Sequence, residues 1–280
     1  MAKMAKSVRD SFDLDGRVAI ITGGAGLLGQ KHAEAVAELG GIPCLLDLDA
    51  ERTAEAANRL SQIYKCQSFG AALDITKPEA IDAIRTQILD QFGRVDILIN
   101  NAANNPKMEN TDGANWSRFE ELPLQIWNED ISVGLTGAML CSRIFGSHMA
   151  ENDGGVILNI ASDLGIIAPD QRIYRNEGET ADTQNVKPVT YSVVKAGLIG
   201  LTKYLATYWP DKGVRANALA PGGIYNGQDD AFVSRLTNLI PMGRMADKDE
   251  YKASVAFMIS DASSYMNGAT LSIDGGRTVW

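Results

Sequence analysis

The chain has 280 residues, 45% hydrophobic and 22% charged, which suits one large α/β domain whose core needs no metal or disulfide to close it. Its net charge of −9 argues against nucleic acid as a partner, because phosphate binding requires a basic surface. No stretch approaches the ~20 apolar residues that span a bilayer. Cys44, Cys66 and Cys141 lie too far apart for a metal site, so a protein with reduced thiols, no metal and no membrane partner is expected in the cytoplasm.

Residues 1–16 read as a polar tail and 17–280 as the domain. An apolar run at 18–22 reads as a buried strand; it meets a glycine cluster and then a helix whose apolar face is Leu28, Ala35, Val36 and Leu39. His32 shares that face, so it reads as a packed helix residue, as does His148 on its own helix. A strand at 42–46 ends in Asp47, a helix follows at 50–64, and a third strand ends near Leu73. A helix at 78–92 leads into a strand at 95–100, then a long helix at 125–150, a strand at 156–161 and a helix at 190–209. A strand at 214–219, helical segments near 231–239 and 248–260, and a last strand at 270–273 complete the order. Alternation of this kind predicts a doubly wound parallel sheet with helices on both faces. Residues 168–187 break the rhythm: they are polar, unpatterned and longer than an ordinary connection.

The first strand opens into Thr22-Gly23-Gly24-Ala25-Gly26-Leu27-Leu28-Gly29. Glycines at 23, 26 and 29 let the backbone turn sharply and approach a pyrophosphate, while the helix start supplies N–H groups and partial positive charge. Gly23, Gly26, Leu28 and Gly29 are therefore candidate cofactor contacts. Asp47 stands 18 residues beyond Gly29, where a carboxylate can accept hydrogen bonds from a ribose and repel a 2′-phosphate. Leu48 and Asp49 follow it with no adjacent arginine, so NAD is expected over NADP. Asp74 and Asn101 sit after the third and fourth strands, on the same edge as Asp47.

Tyr191-Ser192-Val193-Val194-Lys195 places a phenol and an ammonium one helical turn apart, with Cβ atoms ~5–6 Å from one another. A lysine ~6 Å away at an effective dielectric of ~20 favours the phenolate by ~2.8 kcal/mol, about two pKa units, which makes the tyrosine a competent acid–base near neutral pH. Ser162 follows the fifth strand at the same edge and can hold a substrate oxygen beside that phenol. Ser162, Tyr191 and Lys195 are the candidate catalytic residues.

With TGGAGLLG, NNAA, YSVVK, Pro221-Gly222-Gly223-Ile224 and Asp274-Gly275-Gly276 in this order, the chain resembles the short-chain dehydrogenase/reductase family over nearly its whole length. The resemblance implies a single-domain Rossmann fold with a seven-stranded sheet and a homodimer or homotetramer paired through the helices at 125–150 and 190–209. It also implies cofactor contacts at Tyr191, Lys195, Pro221, Gly222 and Ile224. Four further segments, SDLGIIAPDQRIY, KPVTYSVVKAGLIGLTKYLATYW, PGGIYNGQ and DASSYMNG, resemble the oxidoreductases called flagellin modification protein A, which implies a sugar-derived substrate.

The chain departs from the family pattern at several places. Its glycine spacing is similar to that of the longer epimerase and dehydratase branch. Gly134 stands where the family usually has a catalytic asparagine that positions a water, and Asn226 where a threonine often contacts the cofactor. Ser162 and Tyr191 are separated by the 168–187 insertion, expected over the substrate side, where Arg172, Tyr174, Arg175 and Asn226 are candidate contacts for a polar small molecule. The expected activity is NAD(H)-dependent interconversion of a secondary alcohol and a ketone on a sugar or sugar derivative. A polyol, sugar acid or small ketone is the alternative substrate, and a catalytically weak nucleotide-binding regulator the alternative of another class.

Overall fold

The computed structural model describes residues 7–104 and 116–280. Its strands are β1 (Val18–Thr22), β2 (Ile42–Asp47), β3 (Phe69–Ala72), β4 (Ile97–Asn100), β5 (Gly155–Ile160), β6 (Val214–Pro221) and β7 (Thr270–Ile273). All neighbours pair in parallel, in the order β3-β2-β1-β4-β5-β6-β7. This is the expected doubly wound Rossmann sheet. Its strands are apolar on both faces because helices cover both: Val18 and Ile20 of β1 enter one core layer, Ala19 and Ile21 the other.

The helices are α1 (Val8–Ser11), α2 (Leu27–Glu38), α3 (Ala50–Tyr64), α4 (Pro78–Phe92), α5 (Leu124–Ile131), α6 (Ala138–Glu151), α7 (Val189–Tyr208), α8 (Asp230–Thr237) and α9 (Lys252–Ile259). Ile81, Ile84 and Ile88 of α4, Phe145 and Met149 of α6, and Leu205 of α7 fill the first layer. Val36 of α2, Leu60 of α3, and Val255, Met258 and Ile259 of α9 fill the second. The single turn α1 lies within the expected tail, and Leu14 beside it is fully buried.

One helix differs from its sequence expectation. The long helix at 125–150 is α5 and α6 joined by a π-helical turn at Ser132–Gly137. Gly134 and Gly137 bring that turn against its neighbours: a Cβ on Gly134 would come 2.5 Å from Val194 Cγ1, and one on Gly137 2.6 Å from Ile75 Cδ1. Such π turns recur at functional sites, and here the turn faces α7 close to Lys195. Order reverses between β1 and β4, where crossovers leave in opposite directions and open a crevice at the carboxyl ends of the strands.

Candidate active site

A cavity of about 640 Å³ occupies that crevice. At one end lies the glycine turn. Gly23 has φ +64, and a Cβ there would come 2.9 Å from Ala102 Cα, so only glycine fits. Gly26 caps α2 without a side chain, leaving the helix start open toward the cavity. Leu28 of α2 also lines this end, with Asp47, Asp74 and Asn101, whose positions at the sheet edge predict it. The Asp47 carboxylate accepts from Ala25 N–H at 3.1 Å and Leu48 N–H at 2.8 Å, which ties the tip of β2 to the turn. Hydrogen bonds from the Thr76 hydroxyl and backbone hold the Asp74 carboxyl below its ordinary range.

At this end one expectation changes and one contact is added. Gly29 does not line the cavity; a Cβ there would collide with the Gly23 carbonyl, so its role is to let α2 pack on the turn. An arginine is also near: Arg52, on the first turn of α3, donates to Ala25 O at 2.9 Å, a contact that chain adjacency to Asp47 does not reveal.

The other end collects Ser162, Tyr191 and Lys195. Ser162 ends the segment after β5, and Tyr191 and Lys195 lie on the first turns of α7. The two elements meet closely because Gly165 has no side chain; a Cβ there would come 2.7 Å from the Lys195 backbone. Lys195 is buried and donates to Ile160 O at 2.8 Å, with its amine 5.7 Å from the Tyr191 ring centre. Burial, helped by the charge of Lys187, pushes the Lys195 ammonium down to about 8. The Tyr191 phenol is displaced upward, opposite to the electrostatic expectation: burial outweighs the nearby Ser162 hydroxyl, which pulls it down. Isolated helix geometry omits that desolvation.

A model of the short chain dehydrogenase family matches residues 17–174, and one described as enoyl-(acyl carrier protein) reductase matches 178–278. The chain belongs to the short-chain dehydrogenase family. It is therefore an oxidoreductase. It is 34% identical to a D-threitol dehydrogenase from Mycolicibacterium smegmatis, over 98% of this chain and 97% of the relative. It is 30% identical to an NAD-dependent glycerol dehydrogenase from Listeria innocua, over 98% of each. The crystal structure of a gluconate 5-dehydrogenase from Burkholderia cenocepacia, in complex with NADP and tartrate, superimposes with a TM-score of 0.85 at 27% identity, over 98% of this chain and all of that one (100%).

The Val194 side chain lies where a side chain at 134 would project, so Gly134 and Val194 are complementary in volume. The 168–187 insertion contributes Ile173, Tyr174 and Lys187 to the cavity wall. It is pinned by Gln171, whose side chain bonds the backbone of Lys187, and by Arg235, which donates to Ile173 O. Tyr174 and Asn226 line the cavity as expected. Arg172 and Arg175 do not: Arg172 points outward, paired with Asp170 at 2.7 Å, and Arg175 donates to Gln184. A 3₁₀ turn at Gln171–Tyr174 turns Ile173 and Tyr174 inward and leaves both arginines outside.

Three residues of this end were missed: Asp163, Lys187 and Arg277. Asp163 follows Ser162 directly and accepts its hydroxyl at 2.7 Å, so adjacency was an available signal. Lys187 ends the insertion just before α7. Arg277 reaches Asp163 across 114 residues of chain, and no spacing rule reports such a contact.

Proposed function

We propose that this dehydrogenase interconverts a secondary alcohol and a ketone on a polyol or sugar-derived substrate, using NAD(H). One observation carries the reading: a serine hydroxyl, a phenol and a lysine amine converge at one end of a cavity whose other end is a glycine turn faced by a carboxylate. The residues present fit a dinucleotide, because Gly23 and Gly26 leave backbone N–H groups and a helix start uncovered. Asp47 supports NAD over NADP by charge, at the strand tip where a ribose would lie. Gly23, Gly26, Leu28, Asp47, Asp74, Asn101, Tyr191, Lys195, Pro221, Gly222 and Ile224 are proposed as cofactor contacts.

Bound nicotinamide supplies the carbon that gives or takes hydride. This chain's residues handle the oxygen and its proton. The Ser162 O–H is directed at Asp163 Oδ1, so its oxygen is fixed in place beside the reacting group. Tyr191, whose pKa is raised, holds its proton at neutral pH and donates it to the forming alkoxide during ketone reduction. In alcohol oxidation the same phenol must lose that proton, and the amines of Lys195 and Lys187 near its ring favour the charged form. Ile173, Phe232 and Leu236 give the substrate end apolar walls.

The names of the threitol, glycerol and gluconate relatives support a polyhydroxylated substrate. The segments similar to flagellin modification protein A support a sugar-derived one. Assembly through α5–α6 and α7 is supported by exposed Leu124, Met139, Val193, Tyr204 and Tyr208 on those helices, which a homodimer or homotetramer would cover. Free Cys44, Cys66 and Cys141 support a cytoplasmic setting, and no helix among the described residues is long and apolar enough to cross a membrane.

The test is a panel of alditols, aldonates and their ketones, followed by NADH absorbance, with wild type and Tyr191→Phe. Turnover by wild type and a loss of at least about 10³-fold in kcat for the variant, at NADH affinity within about twofold, is the expected result. A variant as active as wild type would remove the proposed acid–base.

A further inference from the structure

The substrate end of the cavity is cationic, and this narrows the substrate class. Among the described residues three bases line it, Lys187, Lys195 and Arg277, against one acid, Asp163; the other described acids of the wall, Asp47 and Asp74, stand at the glycine end. Lys195 is directed at Ile160 O. Lys187 places its amine 3.9 Å from the centre of the Tyr191 ring, beside the reacting phenol.

Arg277 is only 6% exposed, yet it borders the cavity. It donates through Nη1 to Asp163 Oδ2 at 2.7 Å, and among the described residues its guanidinium has no other partner. The remaining N–H donors of a planar, permanently charged fork are therefore available at the wall. Asp163 is committed: Oδ1 accepts from the Ser162 hydroxyl and the Leu164 N–H, and Oδ2 from Arg277. It is not placed to take the hydroxyls of a neutral polyol. Ile173, Phe232, Leu236 and Met245 add apolar wall that strengthens a charge interaction, beside the polar Tyr174, Asn226 and Gln228.

Resting on the alcohol-dehydrogenase reading above, we propose that the substrate is a hydroxy acid of the aldonate class, with its carboxylate held by Arg277 and Lys187 while Ser162 and Tyr191 hold the reacting hydroxyl. A carboxylate matches the guanidinium fork and adds negative charge where the lining cations outnumber Asp163, even with Asp130 acting on Lys187 and Asp170 within reach of Arg277. The basic residues are not those of the exposed insertion surface but the pair carried in from its last residue and from the C-terminal turn.

The experiment compares matched chains differing only at one terminus: gluconate with sorbitol, and threonate with threitol. Binding to the NADH-loaded protein is measured by calorimetry, and NAD⁺-dependent turnover is measured beside it. The aldonate is expected to bind at least about tenfold tighter than its alditol in one or both pairs, the lower end for hydrogen bonds to charged groups. Lys187→Gln is expected to lower the aldonate-to-alditol ratio of kcat/KM about tenfold, mainly through KM. Because removing Arg277 alone strands a buried carboxylate, the charge-balanced double variant Asp163→Asn with Arg277→Gln serves as the second probe and is expected to lower the same ratio. Alditols bound and oxidised as well as aldonates would overturn the proposal and leave the dehydrogenase reading standing. Sugar phosphates bound tighter than aldonates would overturn it too. Carboxylate-dependent binding without turnover of any alcohol would uphold the anion subsite and overturn the alcohol-dehydrogenase reading.

Discussion

The two ends of the cavity are built in different ways. The cofactor end is made from residues that follow one another along the chain: β1, the glycine turn, α2, then β2 with Asp47 at its tip. Its requirement is for missing side chains at Gly23 and Gly26. The substrate end is assembled from distant segments, with Ser162 after β5, Lys187 at the close of the insertion, Tyr191 and Lys195 on α7, Phe232 on α8, and Arg277 near the C-terminus. Its contacts are side chains, several of them charged and buried. Local chain geometry can specify a turn for phosphates; only packing across the whole sheet can bring Lys187, Lys195, Arg277 and Asp163 to one cavity wall.

Three measurements would break or sharpen this contrast. The largest effect is expected at His32, which is fully buried on α2 behind the cofactor end. Burial pushes its imidazole down to about 4, with the Asn101 amide pulling partly the other way. The folded chain thus binds its proton less readily than the unfolded chain. Stability from this residue is present above about pH 6.5 and is lost as pH falls toward 4, by about 2–3 kcal/mol between pH 7 and 4.5. Urea midpoints for wild type and His32→Met at both pH values would show it. An equal acid loss in the variant would place the sensitive group elsewhere.

The Gly134–Val194 contact probes the other half. Gly134→Asn is expected to cost about 1–3 kcal/mol by overpacking against Val194. Adding Val194→Ser should recover much of that loss. If the single variant were as stable as wild type in denaturant, the π turn yields to new volume, and fit between helices does not select glycine there.

The smallest effect concerns Asp47. Asp47→Ala removes the carboxylate at the tip of β2 and is expected to shift the ratio of kcat/KM with NADP to that with NAD about tenfold toward NADP. An unchanged ratio would show that Arg52 or another group, not the local acid, decides between the two cofactors.

Element order, the parallel sheet and the cofactor turn were legible because each depends on short-range rules: alternation of apolar runs, a helix period, glycines where a Cβ collides. Helices α3 and α4 fall on the predicted residues, and the convergence of Ser162, Tyr191 and Lys195 follows from their places at one sheet edge. The insertion was legible only as an excess of residues. Its arginines looked like substrate contacts by composition, but a single 3₁₀ turn sends Ile173 and Tyr174 inward and leaves Arg172 and Arg175 outside.

Sequence alone therefore determined the fold, the family and the convergence of Ser162, Tyr191 and Lys195, since all three rest on spacing along the chain. Tertiary structure decided the ionisation of Tyr191, the volume match of Gly134 with Val194, and the meeting of Arg277 with Asp163. Burial depends on every neighbour that excludes water, and an ion pair on two chain positions meeting in space; neither quantity is written in local order.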